Sequence, residues 1–271
     1  MVKITEKEFK QITDYVKANF GIQLKEEKLA LVTGRLQSLL VQKNFRTFSE
    51  YYAYVVGDTT GQAAIDLINK ITTNHTFFMR EVEHFNFFRD RVLPYLKNEI
   101  SDRDLRVWSA GCSTGEEPYT LAMIIDEFFG AEKKNWDTAI LATDISLKAL
   151  NEAKNGVYSN KELAPLPTHW RSNYFKKVDA ETSAVSDAIK NGVIFRPFNL
   201  MNETFSFRKK FHVIFCRNVM IYFNNETKAE LVNKFYEMTE KGGYLFIGQA
   251  ESLNKELTKY KFVMPAVYRK E

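Results

Sequence analysis

Residues 105–119, LRVWSAGCSTGEEPY, decide the fold. The apolar run Leu105, Val107 and Trp108 breaks at Ser109 into Ala110, Gly111, Cys112, Ser113, Thr114 and Gly115, and a helix start follows. This order predicts a buried strand, then a turn of small residues that lets backbone approach a ligand above the strand end. Glu116 and Glu117 fall in the first helical turn, where the helix dipole favours carboxylates, and Pro118 suits an early helical position.

A second strand signal supplies the other half of the site. In AILATDIS, Asp144 follows the apolar run Ala139 to Ala142, about 29 residues beyond Gly115. An acidic residue there commonly takes a ribose diol in doubly wound folds. The turn departs from the G-x-G-x-x-G spacing, and Glu117 would repel a pyrophosphate, so the expected ligand is a nucleoside without phosphates. S-adenosylmethionine fits, with a ribose for Asp144 and a positively charged sulfonium and amine that acidic side chains tolerate. The plainer alternative is an ordinary helix cap followed by a solvated acidic turn.

The chain has 271 residues, 45% of them hydrophobic and 14% aromatic, enough for two well-packed domains. No apolar run approaches a membrane span, and the amino terminus, MVKITEKEFKQITDYV, is charged where a secretion signal needs an apolar stretch. A cytoplasmic protein without membrane insertion is expected. Cys112 and Cys216 stand at apparent strand ends, and the four histidines are scattered, so neither a disulfide nor a metal is expected. The net charge of +4 neither requires nor excludes a polyanionic partner.

From residue 5 to about residue 70 the apolar spacing is helical, as in Phe9, Ile12, Val16 and Phe20, with breaks at Gly21, Gly57 and Gly61. Beyond residue 105, strand and helix signals alternate: strands at 105–108, 138–143, 193–196, 211–215 and 243–248, and helices at 117–129 and 146–154. The fold class is therefore α/β, a doubly wound, mostly parallel, Rossmann-like sheet behind an all-α amino-terminal domain. The boundary is placed near residue 90, giving domains 1–90 and 91–271, with a helix from about Glu81 to Leu96 as the join. FVMPAVYRK reads as one antiparallel edge strand. Residues 156–192 fit the alternation poorly and read as an insertion with its own small substructure.

Four other stretches carry candidate chemistry. In ITTNHTFFMREVEHF, residues 71–85, Asn74 and Thr76 are placed to bond a cofactor's polar groups and Arg80 to hold a carboxylate by two prongs. The alternative is a helix entry capped by Thr73 or Asn74, with Phe77 and Phe78 in the core. His75 and His84 have no paired base or nucleophile. FHVIFCRNVMIYF, residues 211–223, ends a strand in Arg217 and Asn218 and continues to Tyr222. It lacks the Asn or Asp, two prolines and aromatic usual in nucleic-acid amino methyltransferases, which weakens a nucleic-acid reading. Phe198, Asn199 and Leu200 end another strand, either to close over an adenine or as a plain turn. Finally, Lys28, Arg35, Lys43 and Arg46 lie in a stretch with no acidic residue. On one continuous helix they would share an arc of about 80°, a basic stripe suited to an acidic partner or simply a solvated face.

TNHTFFMRE, WSAGCSTGEEPYTLAM, ATDIS and IFCRNVMIYF, in this order and spacing, resemble the bacterial chemotaxis receptor methyltransferases. The resemblance covers nearly the whole chain. It implies methyl transfer from S-adenosylmethionine, leaving S-adenosylhomocysteine, to glutamate side chains in the cytoplasmic helical methylation region of chemoreceptors. It further implies cofactor contacts from Asn74, Thr76, Arg80, Glu117, Asp144, Asn199, Leu200, Arg217 and Asn218, with Arg80 and Tyr222 near the reacting groups. The family's inserted β-subdomain would correspond to residues 156–192; the span between Asn173-Tyr174-Phe175 and Phe198-Asn199-Leu200 is slightly short and lacks the glycines of members that bind a receptor tether. Lys28, Arg35, Lys43 and Arg46 match the part of the helical domain laid against the receptor. No nucleic acid is expected as partner, and a monomer is expected. The rival readings are a methyltransferase for another substrate and a non-catalytic module that senses the cofactor.

Overall fold

The computed structural model describes residues 2–72 and 75–271. The chain forms two compact units, Met1–Asn74 with Tyr222–Thr227, and His75–Ile221 with Lys228–Glu271.

The first unit holds helices α1 (Glu6–Phe20), α2 (Leu29–Gln42), α3 (Phe48–Gly57) and α4 (Gln62–Ile71). Their apolar positions recur at helical spacing and meet in one core that includes Ile12, Val16, Leu36, Tyr51 and Leu67. Helix α1 opens on a capping box: Glu8 N–H donates to the Thr5 hydroxyl, and the Thr5 N–H donates to the Glu8 carboxylate at 2.9 Å. Glu8 also accepts from Ser49 N–H at 2.8 Å, tying α1 to the start of α3.

The expected basic stripe does not form on one helix. Helix α2 stops at Gln42, and Asn44 turns the chain with φ 60°, a left-handed conformation that asparagine tolerates. Arg46 thus lies beyond the helix, and Lys28 precedes it. Arg35 donates to the carbonyls of Ile71 at 2.7 Å and Thr72 at 3.3 Å, where α4 ends and its carbonyls need donors. Lys43 lies 3.5 Å from Asp66 and donates to the Tyr54 hydroxyl at 3.3 Å. Lys28 and Arg46 are exposed.

Residues 222–227 complete this unit from far along the chain. Ile22 and Phe223 form an antiparallel bridge, and Gln23 N–H donates to the Tyr222 carbonyl at 2.8 Å. Tyr222 and Phe223 pack partly buried against the helical core.

The second unit begins with the helix expected from residue 81, but not as a uniform one. It runs α5 (Val82–Phe87), a π-turn (Phe88–Val92) and α6 (Leu93–Glu99). Leu93 N–H reaches back to the Phe88 carbonyl just before Pro94, which has no N–H to continue the α ladder. There follow β1 (Val107–Ala110), α7 (Glu116–Phe129), β2 (Ile140–Asp144), α8 (Leu147–Asn155), β3 (Val157–Ser159), α9 (Thr168–Tyr174), β4 (Phe175–Lys177) and β5 (Thr182–Val185). After α10 (Asp187–Lys190) come β6 (Val193–Pro197), β7 (Phe211–Cys216), α11 (Asn225–Met238), β8 (Thr239–Ile247), β9 (Lys261–Met264) and β10 (Val267–Arg269).

Seven strands form one sheet in the order β6-β2-β1-β7-β8-β10-β9. The first five are parallel, and Trp108 of β1 lies opposite Leu141 of β2 and Ile214 of β7. Strand β7 is buried at every residue, as its largely apolar run requires in a sheet covered on both faces. The chain runs outward from β1 to β2 and β6, then returns to β7 on the other side. The strand order therefore switches between β1 and β7, where doubly wound sheets open a ligand crevice. FVMPAVYRK forms a hairpin, not one edge strand: Ala266 turns with φ 62°, and β10 inserts between β8 and the outer β9. Between α8 and β6, the expected insertion builds a separate antiparallel sheet, β3-β5-β4.

Candidate functional site

The carboxyl-terminal ends of β1, β2, β6, β7 and β8 gather the candidate residues of the second unit. The turn after β1 needs its glycines. Gly111 has φ 86°, and a Cβ there would lie 2.5 Å from a methyl of Val219 in the turn after β7. Gly115, φ 99°, caps α7 where a Cβ would lie 2.9 Å from the Ala153 Cβ and the Tyr158 hydroxyl. Tyr158 donates to the Thr114 carbonyl at 2.6 Å, so the inserted sheet's first strand braces this turn.

Asp144 ends β2 as expected and faces the same turn. Its carboxylate accepts from Ser113 N–H at 2.8 Å and Ser146 N–H at 2.9 Å. Burial raises its pKa above the ordinary aspartate range, against the pull of those N–H groups. Each carboxylate oxygen offers more than one acceptor direction, which leaves capacity for a diol.

Glu117, in the first turn of α7, accepts from the Ser109 hydroxyl at 2.7 Å and from Arg217 Nη1 at 3.0 Å. Its neighbour Glu116 points into the core, accepting from the Thr114 hydroxyl, and burial raises its pKa. Arg217, whose side chain is 2% exposed, is held on several sides. Beyond Glu117 it donates to Glu81 from Nε at 3.3 Å and Nη2 at 3.1 Å, donates to the Arg80 carbonyl, and lies 5.0 Å from the centre of the Phe85 ring. Asn218, φ 60°, donates its side-chain amide to Glu81 at 3.1 Å. Its backbone N–H donates to Glu251 at 3.1 Å, which also accepts from Gly248 N–H at 2.6 Å after β8.

Arg80 donates from Nη1 to the His75 carbonyl at 2.7 Å, and its guanidinium lies 5.9 Å from the Phe77 ring centre. Thr76 is half-buried in the same segment. Asn74 lies outside the described residues. Asn199 uses its side-chain oxygen to accept from Met201 N–H at 2.9 Å, and Leu200 is buried. Phe198 is committed elsewhere, its ring edge-on to Trp108 within an aromatic cluster. Tyr222 belongs to the first unit, with Lys28 Nζ 6.0 Å from its ring centre.

Three contributors to the network stood outside the sequence expectations: Glu81, Ser109 as Glu117's donor, and Glu251. Glu81 reads locally as a helix-start carboxylate, and its main partner is 136 residues away, so no spacing rule exposes it. Cys112 and Cys216 are free and buried, and burial pushes both thiols well up, away from nucleophilic character. Buried His84 is held down to about 4, first by burial and then by Arg217. No cluster of three or more His, Cys, Asp or Glu is arranged to hold a metal ion among the described residues.

A mostly parallel sheet with a glycine turn at its switch point, and a buried guanidinium between two carboxylates there, defines a Rossmann-like domain. The all-alpha domain of the CheR methyltransferases matches residues 7–72, and their SAM binding domain matches residues 74–268. The chain belongs to the CheR methyltransferase family and is an S-adenosylmethionine-dependent methyltransferase. It is 43% identical over 274 residues to the chemotaxis protein methyltransferase of Borreliella burgdorferi, covering 99% of this chain and 96% of that protein. It is 34% identical over 263 residues to the chemotaxis protein methyltransferase Cher2 of Pseudomonas putida, covering 94% of each. The Vibrio parahaemolyticus chemotaxis protein methyltransferase is 33% identical over 266 residues, covering 97% of this chain and 95% of that protein.

Proposed function

We propose that this protein forms methyl esters on glutamate side chains in the cytoplasmic helical methylation region of chemoreceptors, as part of chemotactic adaptation. The observation that carries this reading is the anionic crevice wall of Glu117, Glu81 and Asp144, neutralised only in part by Arg217, in a chain whose relatives are named chemotaxis protein methyltransferases. Such a wall tolerates a sulfonium and an amine and disfavours phosphates. Bound there, S-adenosylmethionine supplies an electrophilic methyl group that passes to a carboxylate oxygen while the carbon–sulfur electron pair returns to sulfur.

The acceptor needs no general base, because a free glutamate near pKa 4.3 is already ionised at neutral pH. The protein's task is alignment, and positioning of this kind can supply roughly 7–11 kcal/mol of a barrier. Asp144 is assigned the ribose diol, Glu117 the cofactor's cationic end, and Asn74, Thr76, Asn199, Leu200, Arg217 and Asn218 the remaining cofactor contacts. Arg80 steadies the cofactor and, through one oxygen only, the incoming carboxylate, since a two-pronged grip would blunt the nucleophile. Tyr222 orients the acceptor oxygen. Lys28 and Arg46, both exposed, are assigned attraction of the acidic receptor surface; Arg35 and Lys43 spend their charge within the helical unit.

The test is incubation with receptor cytoplasmic fragments and methyl-labelled cofactor, followed by mass spectrometric mapping of base-labile esters. Esters on receptor glutamates are expected, and Arg80→Ala should abolish them. Binding of the cofactor with no ester on any receptor fragment would leave the domain as a sensor. Methylation confined to another substrate would redirect it.

A further inference from the structure

The proposed cofactor residues Arg217 and Asn218 are adjacent in sequence and follow the end of β7, and both are gripped by one carboxylate from a different segment. Glu81 Oε2 takes Arg217 Nε and Nη2 at 3.3 and 3.1 Å, while Oε1 takes the Asn218 amide at 3.1 Å and the Gln249 N–H, after β8, at 3.2 Å. Through Arg217 the grip extends to Glu117 and on to Ser109 of β1. One acidic side chain thus joins the segment entering α5 to three central strand ends.

We propose that Glu81 is the positioning residue of the cofactor crevice: it fixes Arg217 and Asn218 in place and, together with Glu117, outweighs the single positive charge of Arg217. This inference rests on the methyltransferase reading above and extends it to a residue that need not touch the cofactor. The charge count is direct, since Glu81 and Glu117 flank a single Arg217. Backbone geometry supports it. Glu81 and Met79 hold φ 57° and 62°, left-handed values that neither residue type favours, and Asn218 holds 60°. Residues persist in such conformations where surrounding contacts over-determine them, and these cluster at sites where placement matters. The Glu81 carboxyl is buried, which alone would raise its pKa, yet Arg217, the Asn218 amide and the Gln249 N–H hold it below the ordinary range. His84, 3.3 Å from Glu81 Oε2, is neutral and adds no charge at pH 7.

The experiment compares wild type, Glu81→Gln and Glu81→Asp by calorimetric titration with S-adenosylhomocysteine and S-adenosylmethionine. It also measures steady-state methyl transfer to a receptor fragment. Glutamine keeps the length and removes the charge, so Kd and the cofactor KM should rise about tenfold, as loss of hydrogen bonds to a charged group predicts. The KM for the receptor fragment should stay put, and aspartate should restore part of the affinity. A merely structural role would lower the active fraction, and hence kcat, with Kd and KM unchanged. Folded Glu81→Gln with a Kd within twofold of wild type overturns the proposal. If Glu81→Gln does not fold, Glu81→Asp decides: a raised Kd with kcat retained supports the proposal, and an unchanged Kd overturns it. Failure of the methyltransferase reading is separate, because then wild type itself would bind neither nucleoside.

Discussion

Gly111 is the residue on which the crevice most directly turns. Its left-handed φ and the 2.5 Å approach of a Val219 methyl leave no room for a side chain, so the turn after β1 lies directly against the turn that carries Arg217 and Asn218. Gly111→Ala should destabilise the protein by about 1–3 kcal/mol and weaken nucleoside binding. Adding Val219→Ala should recover the part due to crowding and leave the part due to backbone strain. Urea unfolding and calorimetric titration measure the two effects; a double variant no better than the single would place the whole cost in φ. Glu117 and Asp144 were legible in the sequence because each sits at a fixed offset from a strand and a turn. Glu81 and Glu251 were not, since their identity as hydrogen-bond hubs depends on partners from other strand ends.

At the level of elements, two buried histidines make the second unit sensitive to acid. His84 of α5 lies 5.9 Å from the Phe246 ring centre, and His212 of β7 accepts from Arg106 N–H at 3.1 Å. Burial first, then a neighbouring arginine in each case, lowers both from 6.5 to about 4. The unfolded chain therefore binds protons between these values that the folded chain does not. Their stabilising contribution is complete above pH 6.5 and is lost as pH falls toward 4. His212→Asn, which keeps an acceptor for Arg106 and cannot titrate, should lose less stability between pH 7.5 and 5 than wild type. Equal losses in urea midpoint would exclude His212 as a source. Element types were largely readable from periodicity, but the π-turn before Pro94 and the β9–β10 hairpin were not. Both depend on where backbone hydrogen bonds find partners, which a hydrophobic pattern does not encode.

For the molecule as a whole, chain order and spatial order differ. The helical unit draws Tyr222–Thr227 from beyond β7, and Phe223 closes it by pairing with Ile22. Phe223→Ala removes a partly buried ring from that core and should cost about 1–3 kcal/mol. The loss should register as faster amide exchange in α1 and around Ile22. Unchanged protection there would mean that the six-residue excursion contributes nothing to the helical unit. By the same logic, residues 1–74 produced alone lack this strand partner, although their own periodicity looks self-sufficient.

Local chemistry in the chain was enough to determine the α/β class, the all-helical leader, the glycine turn after β1, the acidic end of β2 and the inserted subdomain. Each of these rests on residue spacing along one element, and spacing survives without coordinates. The tertiary structure alone decided which charges are spent and which remain available: Arg35 caps α4, Lys43 pairs with Asp66, and Arg217 is clasped by Glu81 and Glu117. A side chain's charge is written in the sequence, but its balance is struck by neighbours that folding brings within hydrogen-bonding reach.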